Sequence, residues 1–319
     1  MQKIGILYGQ ERSFPEAFIE RVNQYQPELV LAEPVRIDKV IQGEATEYAV
    51  IVDRISHEVP FYRAYLKNAA LTGTAVINNP FWMSADEKFF NNCLATRIGV
   101  PVPKTAILPS SALPTDTSDQ SFTNLAYPLD WEGIFDYVGF PAYMKPFAGG
   151  GWKNVYRLEN KEAFFKFHGE THQLVMLLQE EIKFEEYYRC YCIGGQYVRI
   201  MPYEPRNPHH LRYQSDFNPS PERLAQMEEI VLRINRYLGY DLNTVELAVR
   251  DGIPYAIDFC NPAPDADAKS VGPENFEWVV GTMARYAIER ALSRREILDN
   301  LTWGEYISRS VRGQRLEHD

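Results

Sequence analysis

Two short stretches of this sequence carry residue types that chemistry needs. The first is AYMKP at 142–146, followed by Phe147, Ala148 and the run Gly149, Gly150 and Gly151. Lys145 supplies a positive point charge, and glycines let backbone N–H groups approach an anion closely. This stretch reads equally as a phosphate-binding loop or as a hairpin turn with an exposed lysine. It contains neither the Gly-Lys-Ser/Thr of a P-loop nor a GxGxxG turn. The second stretch is VELAVRDGIPYAIDFCNP at 245–262, where Glu246 and Asp258 interrupt apolar runs on either side of Gly252. Carboxylates in such a setting are costly unless a cation is near. Magnesium takes hard oxygen ligands, typically one or two carboxylates together with phosphate and water oxygens. Glu246, Asp258 and Asn261 offer that set. The rival is an ion pair with Arg250 or another basic residue. Two acids and an amide converging at a proline-bounded strand end favour the metal.

A third signal is LLQEEIK at 177–183, an apolar strand turning acidic. Glu180, Glu181 and the backbone around Ile182 suit an adenine amino group, and Glu185 or Glu186 suits ribose hydroxyls. For any one of these residues a charged strand end at the surface is the stronger reading. Lys88, Arg189, Arg199, Arg206 and Arg212 are further anion candidates, since arginine binds phosphate or carboxylate bidentately. Each alone is more often a surface or ion-pair residue. His209 and His210 lie in a Pro/Asn-rich loop and read as solvated. Cys93, Cys190, Cys192 and Cys260 form no CxxC pair and no zinc pattern, so they read as small apolar residues of a reduced protein.

These candidates need a scaffold. The chain has 319 residues, 45% hydrophobic and 24% charged, with a net charge of −10. That balance argues against a general nucleic-acid binder, while a local basic pocket on an acidic protein can still hold a small anion. The N-terminus does not read as a signal peptide, and no stretch has the apolar length to cross a bilayer. The predicted compartment is the cytoplasm, and homo-oligomerisation is compatible with the sequence.

Apolar runs at 3–8, 30–37, 48–56 and 74–80 alternate with helical stretches, including one bearing Phe14, Phe18, Ile19 and Val22 and another at 60–71. That alternation predicts a mainly parallel sheet covered by helices, an α/β module ending near residue 84. Ser84 to Glu87 reads as a capping box opening a helix to Arg97. The segment 100–108 is extended, its prolines marking a sheet edge, and 109–130 reads as a surface loop. Strands at 142–146, 153–158, 174–182, 187–194 and 196–203 follow, with a helix at 160–170. A helix at 220–238, a hairpin of 244–251 with 253–260, and a helical region from about 274 complete the chain.

In order, Lys88 on a helix, Lys145 before glycines, the QEEIK strand, Arg189 and the Glu246–Asp258–Asn261 cluster resemble the ATP-grasp superfamily. SADEKFFNNCLATRIGVPVPKT is similar to the family's first ATP-lysine helix, and YMKPFAGGGW to its second lysine and glycine loop. LQEEIK with YRCYCIGGQYV resembles the RimK-type, glutathione-synthetase-like carboxylate–amine ligases. The resemblance implies an α/β (α+β) ATP-grasp fold with nucleotide held between two subdomains. Its domains would be a pre-ATP-grasp module at 1–84, a first subdomain with the glycine loop at 85–175, and a second with the metal site at 176–319. It implies ATP and Mg²⁺ as cofactors, with Lys88, Lys145 and the glycines at the phosphates. Glu180, Glu181 and Ile182 would line adenine, Glu186 would take ribose, and Glu246, Asp258 and Asn261 would hold the metal. Small-molecule carboxylate and amine substrates would join through an acyl phosphate, with Arg54, Arg199, Arg206 or Arg212 holding the acceptor. A kinase on the same fold is the alternative. Two departures stand out: many relatives place the last acid and the asparagine two apart, whereas Asp258 and Asn261 are three apart, and PAPDADAKS replaces the usual turn after them.

Overall fold

Alternating β-branched runs and amphipathic helices at the N-terminus fold into a parallel sheet. The computed structural model describes residues 1–82, 86–149, 152–213, 217–293 and Glu305. Strands β1 (Gln2–Leu7), β2 (Val30–Pro34), β3 (Val50–Asp53) and β4 (Ala75–Ile77) stand in the order β2-β1-β3-β4, paired in parallel. Every residue of β3 is buried, as a parallel strand covered on both faces requires. Helix α1 (Ser13–Tyr25) buries Phe14, Phe18 and Val22 along one stripe at four-residue intervals. Helix α2 (Pro60–Leu71) opens on a proline, whose missing N–H has no intrahelical partner to lose there.

The middle of the chain builds an antiparallel sheet. Helix α3 (Lys88–Arg97) is capped by the Glu87 side chain, which accepts from the Phe89 and Phe90 amides. The expected capping box places Ser84 outside the described residues. Strand β5 (Thr105–Leu108) follows the two prolines and is an edge strand, as expected. The segment 109–130 contains a single 3-10 turn, Asp119–Phe122. Helix α4 (Trp131–Val138), absent from the sequence reading, is capped by Asp130 and buries Phe135 against Phe164. Strands β6 (Ala142–Pro146) and β7 (Tyr156–Leu158), helix α5 (Lys161–Glu170) and strand β8 (Met176–Glu180) complete the sheet, ordered β5-β8-β6-β7.

The last third adds strands β9 (Glu186–Ile193) and β10 (Tyr197–Pro202) and helix α6 (Pro221–Leu238). Ser220 caps α6 at its start, and Gly239, in the left-handed region, ends it. Strands β11 (Leu242–Arg250) and β12 (Ile253–Asp258) flank Asp251 and Gly252, both at positive φ, the signature of a two-residue type I′ hairpin. The order is β10-β9-β11-β12, with β9 antiparallel to both β10 and β11. Helices α7 (Ala268–Val271) and α8 (Pro273–Leu292) follow. Among the described residues no helix is long and apolar enough to cross a membrane.

The chain divides into two compact units. One comprises Met1–Asp86, Glu185–Val249 and the chain from Ala256; the other comprises Glu87–Phe184 with Arg250–Tyr255. The N-terminal module does not stand alone, for a physical reason. Ile4, Phe14 and Phe18 share one core with Tyr191, Leu242, Val280, Met283 and Ala284. The second unit has its own core, built from Leu108, Phe135, Met144, Phe164 and Leu178.

Candidate functional site

In the first unit, register brings the acids of the β11–β12 hairpin to a basic and aromatic neighbourhood. Glu246 pairs across the sheet with Arg189 of β9. The Tyr187 hydroxyl, two residues along the same face, donates to Glu246 Oε2 at 2.6 Å. Arg189 Nε stands 3.7 Å from Glu246 Oε1, an ion pair beyond hydrogen-bond length. The same guanidinium donates to the Tyr213 hydroxyl at 3.2 Å and lies over the Tyr203 ring. Arg189 Nε is buried without a hydrogen-bond partner among the described residues. Burial first, then the Glu246 and Asp258 carboxylates, hold the Tyr187 phenol well above its ordinary range.

Asp258, the last residue of β12, is half-buried and makes no hydrogen bond or ion pair among the described residues. The segment after it is held by two buried amides. Asn243 donates to the Phe259 carbonyl at 2.8 Å and accepts from the Asn261 amide at 2.8 Å. Asn78, just beyond β4, donates to the Leu242 and Pro262 carbonyls and accepts from the Asp241 and Leu242 amides. A side chain thus replaces strand pairing where β12 ends, and the Asn261 side chain is left without a partner among the described residues. The anticipated rival, Arg250 neutralising these acids, does not occur: Arg250 pairs with Glu180 and stacks on Tyr255. The basic neighbour of Glu246 is Arg189.

Among the described residues no three His, Cys, Asp or Glu side chains are grouped to enclose a metal. Two carboxylates and an amide suit an ion that keeps other oxygen ligands, which is how magnesium binds with phosphates. The half-buried Asp258 carboxylate without a counter-charge fits that role.

In the second unit, Lys145 of β6 lies opposite Leu177 of β8, and its Nζ donates to Gln179 Oε1 at 2.9 Å. Gln179 in turn donates to Thr105 Oγ1 at 2.9 Å, so a buried neutral amide orients the ammonium across three strands. Lys88 opens α3, and its ammonium makes no ion pair among the described residues. The glycine run connects β6 to β7, antiparallel partners, so the hairpin describes its topology. Gly149 is exposed at φ +100°; Gly150 and Gly151 lie outside the described residues.

The acids after β8 are already engaged. Glu180 binds Arg250 at 2.7 Å and the Lys104 amide at 3.2 Å. Glu181 takes Arg157 bidentately at 2.6 and 2.9 Å, and that pairing draws its carboxyl below the usual range. Ile182 is buried. The Glu180 and Glu181 amides are engaged as well, donating to the Lys104 and Pro141 carbonyls. In the first unit Glu186 accepts from Tyr188 at 2.8 Å.

The arginines divide similarly. Arg199 is held by Glu274 and Asn275, and Arg206 by Glu204. Arg212 donates to the Asn207 carbonyl and the Tyr203 hydroxyl, joining the tyrosines around Arg189. Arg54 is buried, bound bidentately by Glu11, with Nη1 lacking a partner among the described residues. Tyr187, Tyr203, Asn78 and Asn243 escaped sequence reasoning. Alternating aromatics on a strand read as core, and no local pattern marks a buried amide.

No family model matches the chain. A D-alanine–D-alanine ligase of Clostridium botulinum is 21% identical over 197 residues, 54% of this chain; the match spans 63% of that ligase's length. Among solved structures, an ATP-grasp RimK domain protein from Sphaerobacter thermophilus superposes with a TM-score of 0.63 at 16% identity. It covers 90% of this chain and 99% of its own. D-alanine–D-alanine ligase from Bacillus anthracis, in complex with ATP, gives 0.61 at 16% identity over 92% and 98%. This chain has the ATP-grasp fold.

Proposed function

We propose that this protein is an ATP- and magnesium-dependent ligase that joins a small-molecule carboxylate to an amine. The observation that carries the reading is Asp258: a half-buried carboxylate without counter-charge among the described residues, at the end of the strand next to that of Glu246, on an ATP-grasp fold. Glu246, Asp258 and Asn261 hold magnesium in this reading. The ion, when bound, neutralises charge on the transferring phosphoryl group. Lys88 and Lys145 contact the phosphates, and the backbone at Gly149 approaches them. The backbone of Glu181 and Ile182 lines adenine, because the Glu180 and Glu181 side chains are committed to arginines. Glu186 takes the ribose.

The substrate carboxylate attacks the γ-phosphorus and ADP leaves. The amine then attacks the acyl carbon, phosphate departs, and the amine's proton passes to solvent. Electrostatics and positioning carry the rate, and no protein nucleophile is needed. Arg212 is the best placed of the acceptor candidates, since Arg199 and Arg206 would have to leave Glu274 and Glu204.

ADP release measured across a panel of amino acids, with mass analysis of the product, tests this. A cognate pair yields ADP and condensed product in equal amounts, and Lys145→Ala and Asp258→Ala each lower turnover by about a hundredfold or more. Full turnover in either variant overturns the assignment.

A further inference from the structure

The Tyr187–Glu246 hydrogen bond has no part in the reaction just described, yet it constrains one of the acids assigned to the metal. We propose that Tyr187 is a positioning residue that makes Glu246 a single-oxygen metal ligand and so biases the site toward magnesium over calcium. The inference rests on the reading that Glu246 holds the metal.

The geometry is specific. Tyr187 lies on β9 two residues from Arg189, whose pairing with Glu246 puts all three side chains on one face of the sheet. The Tyr187 ring is buried and packs against Tyr203, so the phenol has little freedom to swing away. Its hydroxyl meets Glu246 Oε2 at 2.6 Å, the length of a charge-assisted bond. Arg189 lies over the Tyr203 ring, is bonded to Tyr213, and has its Nε 3.7 Å from Oε1. The Tyr187 bond therefore engages one carboxylate oxygen, Oε2, from a ring held by packing.

The consequence follows from coordination chemistry. Calcium accepts six to eight oxygens and readily takes a carboxylate through both, whereas magnesium demands octahedral geometry and takes one oxygen per carboxylate. A cation that needs both oxygens of Glu246 has to break the Tyr187 bond. A cation that needs one does not.

The test is calorimetric titration of Mg²⁺ and Ca²⁺ into the full chain saturated with a non-hydrolysable ATP analogue. It uses the wild type, Tyr187→Phe, Glu246→Gln and the double variant, with thermal unfolding alongside. Tyr187→Phe keeps the ring and its packing. It is expected to weaken Mg²⁺ by about fivefold while leaving Ca²⁺ unchanged or tighter. In the Glu246→Gln background the same substitution is expected to change neither. Equal weakening of both ions, or an undiminished effect in the Glu246→Gln background, overturns the positioning role. Glu246→Gln with wild-type Mg²⁺ binding overturns the metal reading itself, a separate outcome. Should Tyr187→Phe lower the unfolding midpoint strongly, Tyr187→Met, which fills the buried site flexibly and carries no donor, repeats the comparison.

Discussion

The end of β8 and the end of β12 both turn an apolar strand acidic, but their carboxylates meet different fates. After β8, Glu180 and Glu181 are matched by Arg250 and Arg157, with two short bonds to the latter. At the end of β12, Asp258 has no such partner among the described residues, and the asparagines behind it bind backbone and, for Asn243, the Asn235 amide. An acid answered by arginine is finished structurally, whereas a half-buried acid left unanswered awaits a cation from outside the chain. Carboxylates in similar strand contexts therefore separate by partner, not by composition.

Substitutions at the two ends should expose the contrast. Asp258→Asn removes charge but keeps shape, and is expected to lower ADP release by about a hundredfold with little change in unfolding midpoint. A comparable loss for Glu181→Gln would erase the distinction. Next in size is Asn78→Ala. It strips four hydrogen bonds from buried backbone around Leu242 and Pro262 and is expected to cost about 2–3 kcal/mol in chemical denaturation. If the β12 end is held as described, metal affinity falls with it. The smallest effect is that of Glu181→Gln on stability, since Arg157 is exposed to solvent. Arg157 holds the Glu181 carboxyl low, so the pair's contribution is complete above the unfolded value of about 4.3. It is lost as the pH falls through the lower folded value, and thermal melts from pH 6 downward should show the variant and wild type converging.

Much of this was legible in the chain itself. The β-branched runs and the Phe14–Phe18–Val22 stripe announce the parallel module, and Asp251–Gly252 announces the hairpin that carries Glu246 and Asp258. Local pattern reaches no further than that. Helix α4 was hidden behind a Ser/Thr/Pro-rich segment, because eight residues hold too few turns for periodicity to show. The Arg157–Glu181 pair and the Tyr187–Glu246 bond depend on register between strands far apart in sequence, which periodicity does not set. The sharing of one core by residues 1–86 and α8 depends on which apolar faces meet, and sequence order misleads there.

In the proposed function the acids at the β11–β12 hairpin hold magnesium together with nucleotide. Calorimetric binding of a non-hydrolysable ATP analogue, with Mg²⁺ and then with EDTA, addresses it directly. The account predicts that Mg²⁺ tightens binding by about tenfold or more in the wild type, and that Asp258→Asn abolishes this gain while leaving the metal-free affinity intact. Equal Mg²⁺ dependence in the wild type and Asp258→Asn would contradict it.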